Sequence, residues 1–331
     1  MTRKSEIRLG VIGAGRIAPH HIRAALANGF LLDSICGRDF SKNAQSLGKQ
    51  YGFKKTCSTF EELLARQVDA YLVLTETSAQ IEIARELVKR DKPILVEKPV
   101  SRSPEQIEAL EKIDTNQRIA VGYNRRNLHS TITMKNHLTN LDNIFFIMNI
   151  PELSTNLKAS SEDIEYMILE NSVHAFDLAF YLFGRPRKWS TKKVYFDSKT
   201  FASIVDLNYA NGSKGIIGLT IGVPDNWSID VFAPGKKYEM SPLENFAIFD
   251  KMGTIASTNE RPNKLYVPQS SSGWLPDKLD LEFKAGFYRQ MNDFREFVLT
   301  NSRPERLASL SDAKFVITFA QSLLSEPTDR I

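Results

Sequence analysis

The turn Gly13-Ala14-Gly15-Arg16-Ile17-Ala18 constrains the fold more than any other feature of the chain. It follows the apolar run Ile7 to Ile12, and the spacing predicts a helix after it from about Ile17 to Ala27, with Gly29 placed to stop it. Glycine at 13 permits a tight strand-to-helix turn. Glycine at 15 lets the backbone approach a pyrophosphate, and the small Ala18 lets the helix pack on the strand. The first N–H groups and the positive dipole end of that helix then face the phosphates. Alone, a GxGxxA string is weak evidence, and the competing reading is a plain tight turn. After a strand, before a helix and at the head of a β-α series, it implies a dinucleotide site.

The series continues. Leu31 to Cys36, Ala70 to Leu74, Ile94 to Glu97 and Ile119 to Val121 read as strands. Ser58 with Glu61 reads as a capping box for a helix through about Ala65, Ala79 to Arg90 as a helix, and Ser103-Pro104 with Gln106 as the start of another. Repeated units of this length imply a doubly wound parallel sheet of Rossmann type. After Gly122 the pattern changes. A long helix is predicted from about Ile164 to Phe183, stopped by Gly184. Phe201 to Tyr209 and Lys214 to Gly222 flank the hairpin signal Asn211-Gly212, and Trp227 to Ala233 and Lys237 to Met240 flank Pro234-Gly235. Sequential hairpins imply a second domain, α+β in class, with a large open, mostly antiparallel sheet flanked by helices. Residues 255–280, rich in Ser, Pro and Asn, read as a long surface loop. Two helices close the chain, the first with Phe287, Met291, Phe294 and Val298 on one face and the second over Asp312 to Leu324. The expected division is a dinucleotide-binding domain at 1–122 and a substrate-binding and oligomerisation domain at 123–331.

Composition removes other classes. Lys and Arg number 43 against 39 Asp and Glu, a net charge of +4 that is too small and too dispersed to argue for nucleic acid or a membrane surface. There is no run of about twenty apolar residues to span a membrane, and Met1 to Glu6 lacks the apolar stretch of a signal peptide. Cys36 and Cys57 have no metal-like spacing and read as reduced thiols. The expectation is a cytoplasmic protein with a small-molecule partner.

The second strand ends Ile35-Cys36-Gly37-Arg38-Asp39. An acid at this place bonds the ribose hydroxyls of NAD, whereas a basic neighbour accommodates a 2′-phosphate. Gly37 stands where the acid is expected and Arg38 follows, which favours NADP(H) over NAD(H). The other reading gives Asp39 the acidic role. Expected cofactor contacts are Gly13, Gly15, Arg16, Ile17, Gly37, Arg38, Thr75, Glu97 and Lys98. Lys98 sits beyond the carboxyl end of a parallel strand, where an ammonium can polarise a carbonyl or hold an alkoxide; the competing reading is an ordinary exposed lysine. On the long helix, Glu170, Asn171, His174 and Asp177 form a polar stripe among apolar neighbours. At about 100° per residue, Glu170, His174 and Asp177 fall within about 60° of one another. A histidine there can take a hydroxyl proton near neutral pH while a carboxylate orients it, although a solvated face explains the same stripe. No second His or Cys lies at ligand spacing, so no metal is expected.

Taken together, these residues resemble the glucose–fructose oxidoreductase, inositol dehydrogenase and rhizopine-catabolism (Gfo/Idh/MocA) family. The anchors are Gly13 to Ala18, Glu97-Lys98-Pro99, Val121-Gly122-Tyr123-Asn124-Arg125-Arg126, and Glu170 to Asp177 followed by Gly184. The resemblance implies hydride transfer between nicotinamide and a secondary alcohol or ketone of a sugar, sugar nucleotide or polyol. It makes His174 the general acid/base and gives Lys98 the reacting oxygen. Glu170 stands at a catalytic position where the family usually has aspartate. Arg126, Asn171 and Asp177 fall on the substrate side, and the open sheet implies a homodimer or homotetramer. Thr75 to Gln80 departs from the family's Thr-Pro-x-x-x-His stretch, with Glu76 and Gln80 in place of Pro and His. The alternative on the same fold is a non-catalytic dinucleotide-binding sensor or co-regulator, against which Lys98 and His174 both argue. A metal-dependent lyase using His174 and the acids is a third reading.

Overall fold

The computed structural model describes residues 6–38, 40–152, 161–195 and 201–325. They form two compact units. The first runs through Leu128 and resumes at Lys278–Ser322; the second holds His129–Asp277 and the chain from Leu323.

The first unit alternates strand and helix: β1 (Ile7–Ile12), α1 (Ala18–Ala27), β2 (Phe30–Cys36), α2 (Lys42–Tyr51), β3 (Lys55–Cys57), α3 (Phe60–Leu64), β4 (Ala70–Val73), α4 (Thr77–Val88), β5 (Ile94–Val96), α5 (Pro104–Ile113) and β6 (Ile119–Val121). The strands form one six-stranded sheet in the order β3-β2-β1-β4-β5-β6. Every pairing in it is parallel. β4, β5 and β6 are buried at every residue, as short apolar strands covered on both faces must be. The strand order reverses between β1 and β4, which opens a crevice beyond their carboxyl ends.

The second unit contains α6 (His129–Leu138), β7 (Phe145–Glu152), α7 (Ser161–Tyr166), α8 (Val173–Phe183), β8 (Lys188–Tyr195), β9 (Phe201–Asn208), β10 (Lys214–Ile221), β11 (Ser228–Ala233), β12 (Lys236–Met240), β13 (Phe246–Ile255) and β14 (Leu265–Trp274). Its eight-stranded sheet runs β14-β13-β12-β11-β7-β10-β9-β8. All its pairs are antiparallel except β7 with β10. Strand alternation divides its two faces. Phe146, Met148 and Ile150 of β7 are buried, as are Ile217 and Leu219 of β10, while Phe145 and Ile147 are exposed on the other face.

The remaining helices are α9 (Lys278–Glu282), α10 (Phe287–Thr300) and α11 (Leu310–Leu324). α10 belongs to the first unit. Phe287, Met291, Phe294 and Phe297 enter one core with Leu9, Ile22 and Phe30, and the rings of Phe30 and Phe294 stack at 6.0 Å. The partition therefore differs from a single cut at 122/123: most of the last fifty residues complete the nucleotide-type fold.

Two local expectations change. The capping box lies one residue on: Thr59 Oγ1 accepts from the Glu62 N–H at 3.2 Å, and Glu62 accepts from the Ser58 N–H at 2.6 Å. Both Ser58/Glu61 and Thr59/Glu62 satisfy the pattern, and the chain uses the second. Residues 255–280 contain β14 rather than only loop. That strand is exposed at nearly every position, so it shows no alternation to read. α2 has no apolar period legible in the sequence, because it buries only Ala44, Leu47 and Gly48. Among the described residues, no helix is long and apolar enough to cross a membrane.

Candidate active site

The glycine turn has the geometry of a cradle. Gly13 lies at φ +108°, and a Cβ there would meet the Leu74 carbonyl at 2.5 Å. Glycine is thus the residue that both the backbone conformation and the close packing of β1 on the β4 loop admit. A Cβ at Gly15 would meet nothing within 4 Å. This opening before α1, at the sheet's switch point, suits a pyrophosphate. Arg16 and Ile17 follow directly, and Ile17 precedes the first residue of α1 without a side-chain cap. Within that first turn the Ala18 N–H donates to the Gly15 carbonyl and the His20 N–H to the Ile17 carbonyl, each at 3.1 Å, and Pro19 has no N–H, so the dipole end of α1 rather than a row of open donors faces the cradle. At the end of β4, the Thr75 hydroxyl is buried with no hydrogen-bond partner. An orphaned buried hydroxyl costs about 1–3 kcal/mol unless a ligand meets it. Gln80 donates from Nε2 to the Thr75 carbonyl at 3.0 Å, which ties the first turn of α4 to this loop.

Glu97 and Lys98 leave β5 beside this cradle. Glu97 is committed to the protein: its carboxylate lies 2.6 Å from Nε2 of His21, which is 1% exposed on α1. Burial is the largest influence on that carboxyl and pushes it up. The His21 hydrogen bond, with the His21 and Lys98 charges, outweighs burial and holds Glu97 below the usual carboxylate range. Glu97 also accepts from the Lys98 N–H at 3.1 Å, so the pair fixes the backbone from which Lys98 projects. The sequence reading gave Glu97 to the cofactor; the geometry makes it the anchor of the Lys98 loop.

His21 was missed by sequence reasoning, although a histidine on the buried face of α1 needs a partner and was the available signal. Lys284 was missed as well. Its Nζ lies 5.5 Å over the Phe287 ring, and that ring lies 4.6 Å from His21. Burial, with Arg125 nearby, pulls Lys284 below the ordinary lysine range, against the charge of Glu97.

At the end of β2, Gly37 has a packing reason to be glycine. A Cβ there would meet Cβ and Oγ of Ser41 at 2.6 Å, and Ser41 caps α2 by accepting from the Ala44 N–H. Arg38 is exposed, and its guanidinium lies 3.5 Å from the Glu76 carboxylate across the β1 turn. Asp39, the alternative acid, lies outside the described residues.

In the second unit, the predicted long helix is interrupted. Between α7 and α8, Met167–Ser172 forms a π turn. Its i→i+5 bonding winds less per residue than an α-helix, so the 100° spacing that aligned Glu170 with His174 and Asp177 does not hold through it. Single π turns of this kind recur at functional sites. Glu170, Asn171 and His174 are partly exposed, whereas Asp177 is fully buried. Asn171 donates to Sδ of Met167 at 3.3 Å. The turn is held from the sheet by Ser172, which lies 3.0 Å from Oε1 of the buried Glu152.

Arg126 is placed differently from its expected substrate role. It is 4% exposed, and its guanidinium lies 3.5 Å from the Asp312 carboxylate and 3.4 Å from the Glu305 carbonyl. These contacts make it a packing residue of the first unit.

Comparison with known proteins gives the same picture. Residues 7–124 match the Gfo/Idh/MocA model, described as an oxidoreductase family with an NAD-binding Rossmann fold. The inositol 2-dehydrogenase of Rhizobium meliloti (strain 1021) is 22% identical over 323 residues, 91% of each chain. Two solved structures share the fold. The UDP-N-acetylglucosamine 3-dehydrogenase of Acidithiobacillus ferrooxidans is 17% identical with a TM-score of 0.74, covering 96% of both chains. An oxidoreductase of Agrobacterium radiobacter, in complex with NAD+, L-tartaric acid and magnesium, is 14% identical with a TM-score of 0.74, covering 96% of this chain and 95% of that one.

Proposed function

Since the chain carries the NAD-binding Rossmann fold of the Gfo/Idh/MocA oxidoreductases, we propose that it oxidises a secondary alcohol, or reduces the matching ketone, of a sugar, sugar nucleotide or polyol. The observation that carries this reading is Lys98, held at the carboxyl end of β5 by the buried His21–Glu97 pair beside the glycine cradle.

A nicotinamide cofactor, when bound, accepts or returns the hydride. Gly13, Gly15, Arg16 and Ile17 would hold its pyrophosphate, and Thr75 offers a hydroxyl from the neighbouring loop. The Lys98 ammonium hydrogen-bonds the reacting oxygen and stabilises the charge that develops on it. His174 takes the hydroxyl proton during oxidation and returns it during reduction. Glu170 and Asn171, on the π turn one helical turn earlier, orient the substrate beside His174. Arg38 would receive a 2′-phosphate, and on this ground NADP(H) is the favoured cofactor.

The test is a screen of inositols, free sugars and sugar nucleotides for the absorbance change of NAD(P)H. At least one class should turn over. A chain that binds the dinucleotide tightly and turns over none would point instead to the sensor reading.

The exposed face of the eight-stranded sheet carries Phe145, Ile147, Ile204 and Phe232, with Phe145 stacked on Phe232 at 5.8 Å. A face of that character suits a second copy of the chain, so a homodimer or homotetramer is proposed. Light scattering of the purified protein should give a mass of two or four chains; a monomer at micromolar concentration refutes the assembly.

A further inference from the structure

We infer that Glu76 is a specificity residue that limits binding of a cofactor 2′-phosphate by competing for Arg38; the inference rests on the reading that Arg38 faces that phosphate. β2 and β4 flank β1 in the sheet, so the loops that follow them lie on either side of the glycine turn. Arg38 comes from one loop and Glu76 from the other, and their charged groups lie 3.5 Å apart. A phosphate oxygen taking a charge-assisted bond of ~2.8 Å from Arg38 would lie within about 6 Å of the Glu76 carboxylate.

The pair has little structural purpose. The Arg38 side chain is 89% exposed and that of Glu76 is 62% exposed. An ion pair this open adds little to stability. Glu76 is also the N-cap residue of α4, yet its side chain makes no capping hydrogen bond. Its carboxylate thus has no capping role in α4 and, paired with Arg38, acts on the ligand side in two ways. It neutralises the guanidinium that would attract the phosphate, and it repels the phosphate directly. An uncharged, unphosphorylated ribose feels neither effect.

The experiment is a titration of NADPH and NADH, followed by tryptophan quenching, on the wild type, Glu76→Gln and Arg38→Ala. Gln keeps the size and the exposed N-cap position, so α4 should be unchanged by circular dichroism. Glu76→Gln should tighten NADPH about tenfold and leave NADH within about twofold, as expected for removing one charge near a dianion at high effective dielectric. The gain should shrink as salt is raised from about 0.05 M to about 0.5 M. Unchanged or weaker NADPH binding in Glu76→Gln overturns the inference, whatever Arg38→Ala does. Arg38→Ala tests the underlying reading separately: it should weaken NADPH more than NADH, and an equal effect on both removes Arg38 from the 2′-phosphate site.

Discussion

Replacing Lys98 with alanine is expected to lower turnover about 100- to 1,000-fold, the usual cost of removing a donor aimed at a developing oxyanion. Replacing His174 with alanine should cost about 100- to 10,000-fold, the range for a general acid/base. Neither side chain belongs to the glycine cradle, so the dissociation constant of the dinucleotide should change by less than about threefold, roughly 0.65 kcal/mol. The two variants should also differ in kind. His174→Ala should lose the limb of the pH–rate profile that reports the proton acceptor, whereas Lys98→Ala should keep it. Steady-state kinetics with the substrate found by the screen, together with cofactor titration, reads all of this. Wild-type turnover in either variant removes that residue from the mechanism. If both variants lose activity together with cofactor binding, they report damage to the fold.

The second large effect is on stability. Removing His21 leaves the Glu97 carboxylate buried without its 2.6 Å partner. Breaking one side of a buried pair typically costs about 3–5 kcal/mol, because the remaining charge keeps its desolvation penalty. His21→Ala should therefore unfold at markedly lower urea than the wild type near pH 7. The sign of the pH dependence follows from Glu97. Its folded value is depressed, so its stabilising contribution is present above the ordinary carboxylate value and is lost as pH falls through the folded one. The gap between wild type and variant should thus narrow as pH falls from neutral, because the stranded carboxyl of the variant, pushed up by burial without His21 to oppose it, takes up a proton before the paired one does. A loss below about 1 kcal/mol at pH 7 would mean that Glu97 finds another partner or water. The Lys98 loop would then not depend on His21.

Most of the first unit was legible because its signals are local. Gly13, Gly15 and Ala18 declare a turn, β4, β5 and β6 are continuous apolar runs, and β1 is one apart from Arg8. The hairpin at Asn211-Gly212 was equally plain. What could not be read depended on contacts distant in sequence. α2 presents too few apolar residues to show its period, and β14 is exposed on both faces, so neither the 3.6 nor the 2.0 repeat marks them. The π turn at Met167–Ser172 carries no breaker residue, and a regular helix was the natural reading. At the site, Lys98 was identifiable from its place after a strand, whereas the His21–Glu97 pair spans 76 residues of sequence. Arg126 stood on the substrate side only through the family resemblance. Its commitment to Asp312, 186 positions on, is visible only in three dimensions.

The return of α10 to the first unit bears on how the chain is made. A ribosome releases β1, α1 and β2 early, but Phe287, Met291, Phe294 and Phe297 emerge only after His129–Asp277 of the second unit has been synthesised. Until then the nascent nucleotide fold keeps part of its apolar core open to water, a state in which incomplete domains attract chaperones or aggregate. The second unit has no such debt to later residues for its eight-stranded sheet, whose last strand ends at Trp274. The parallel sheet, begun first, therefore receives its covering helix only after the antiparallel sheet is complete.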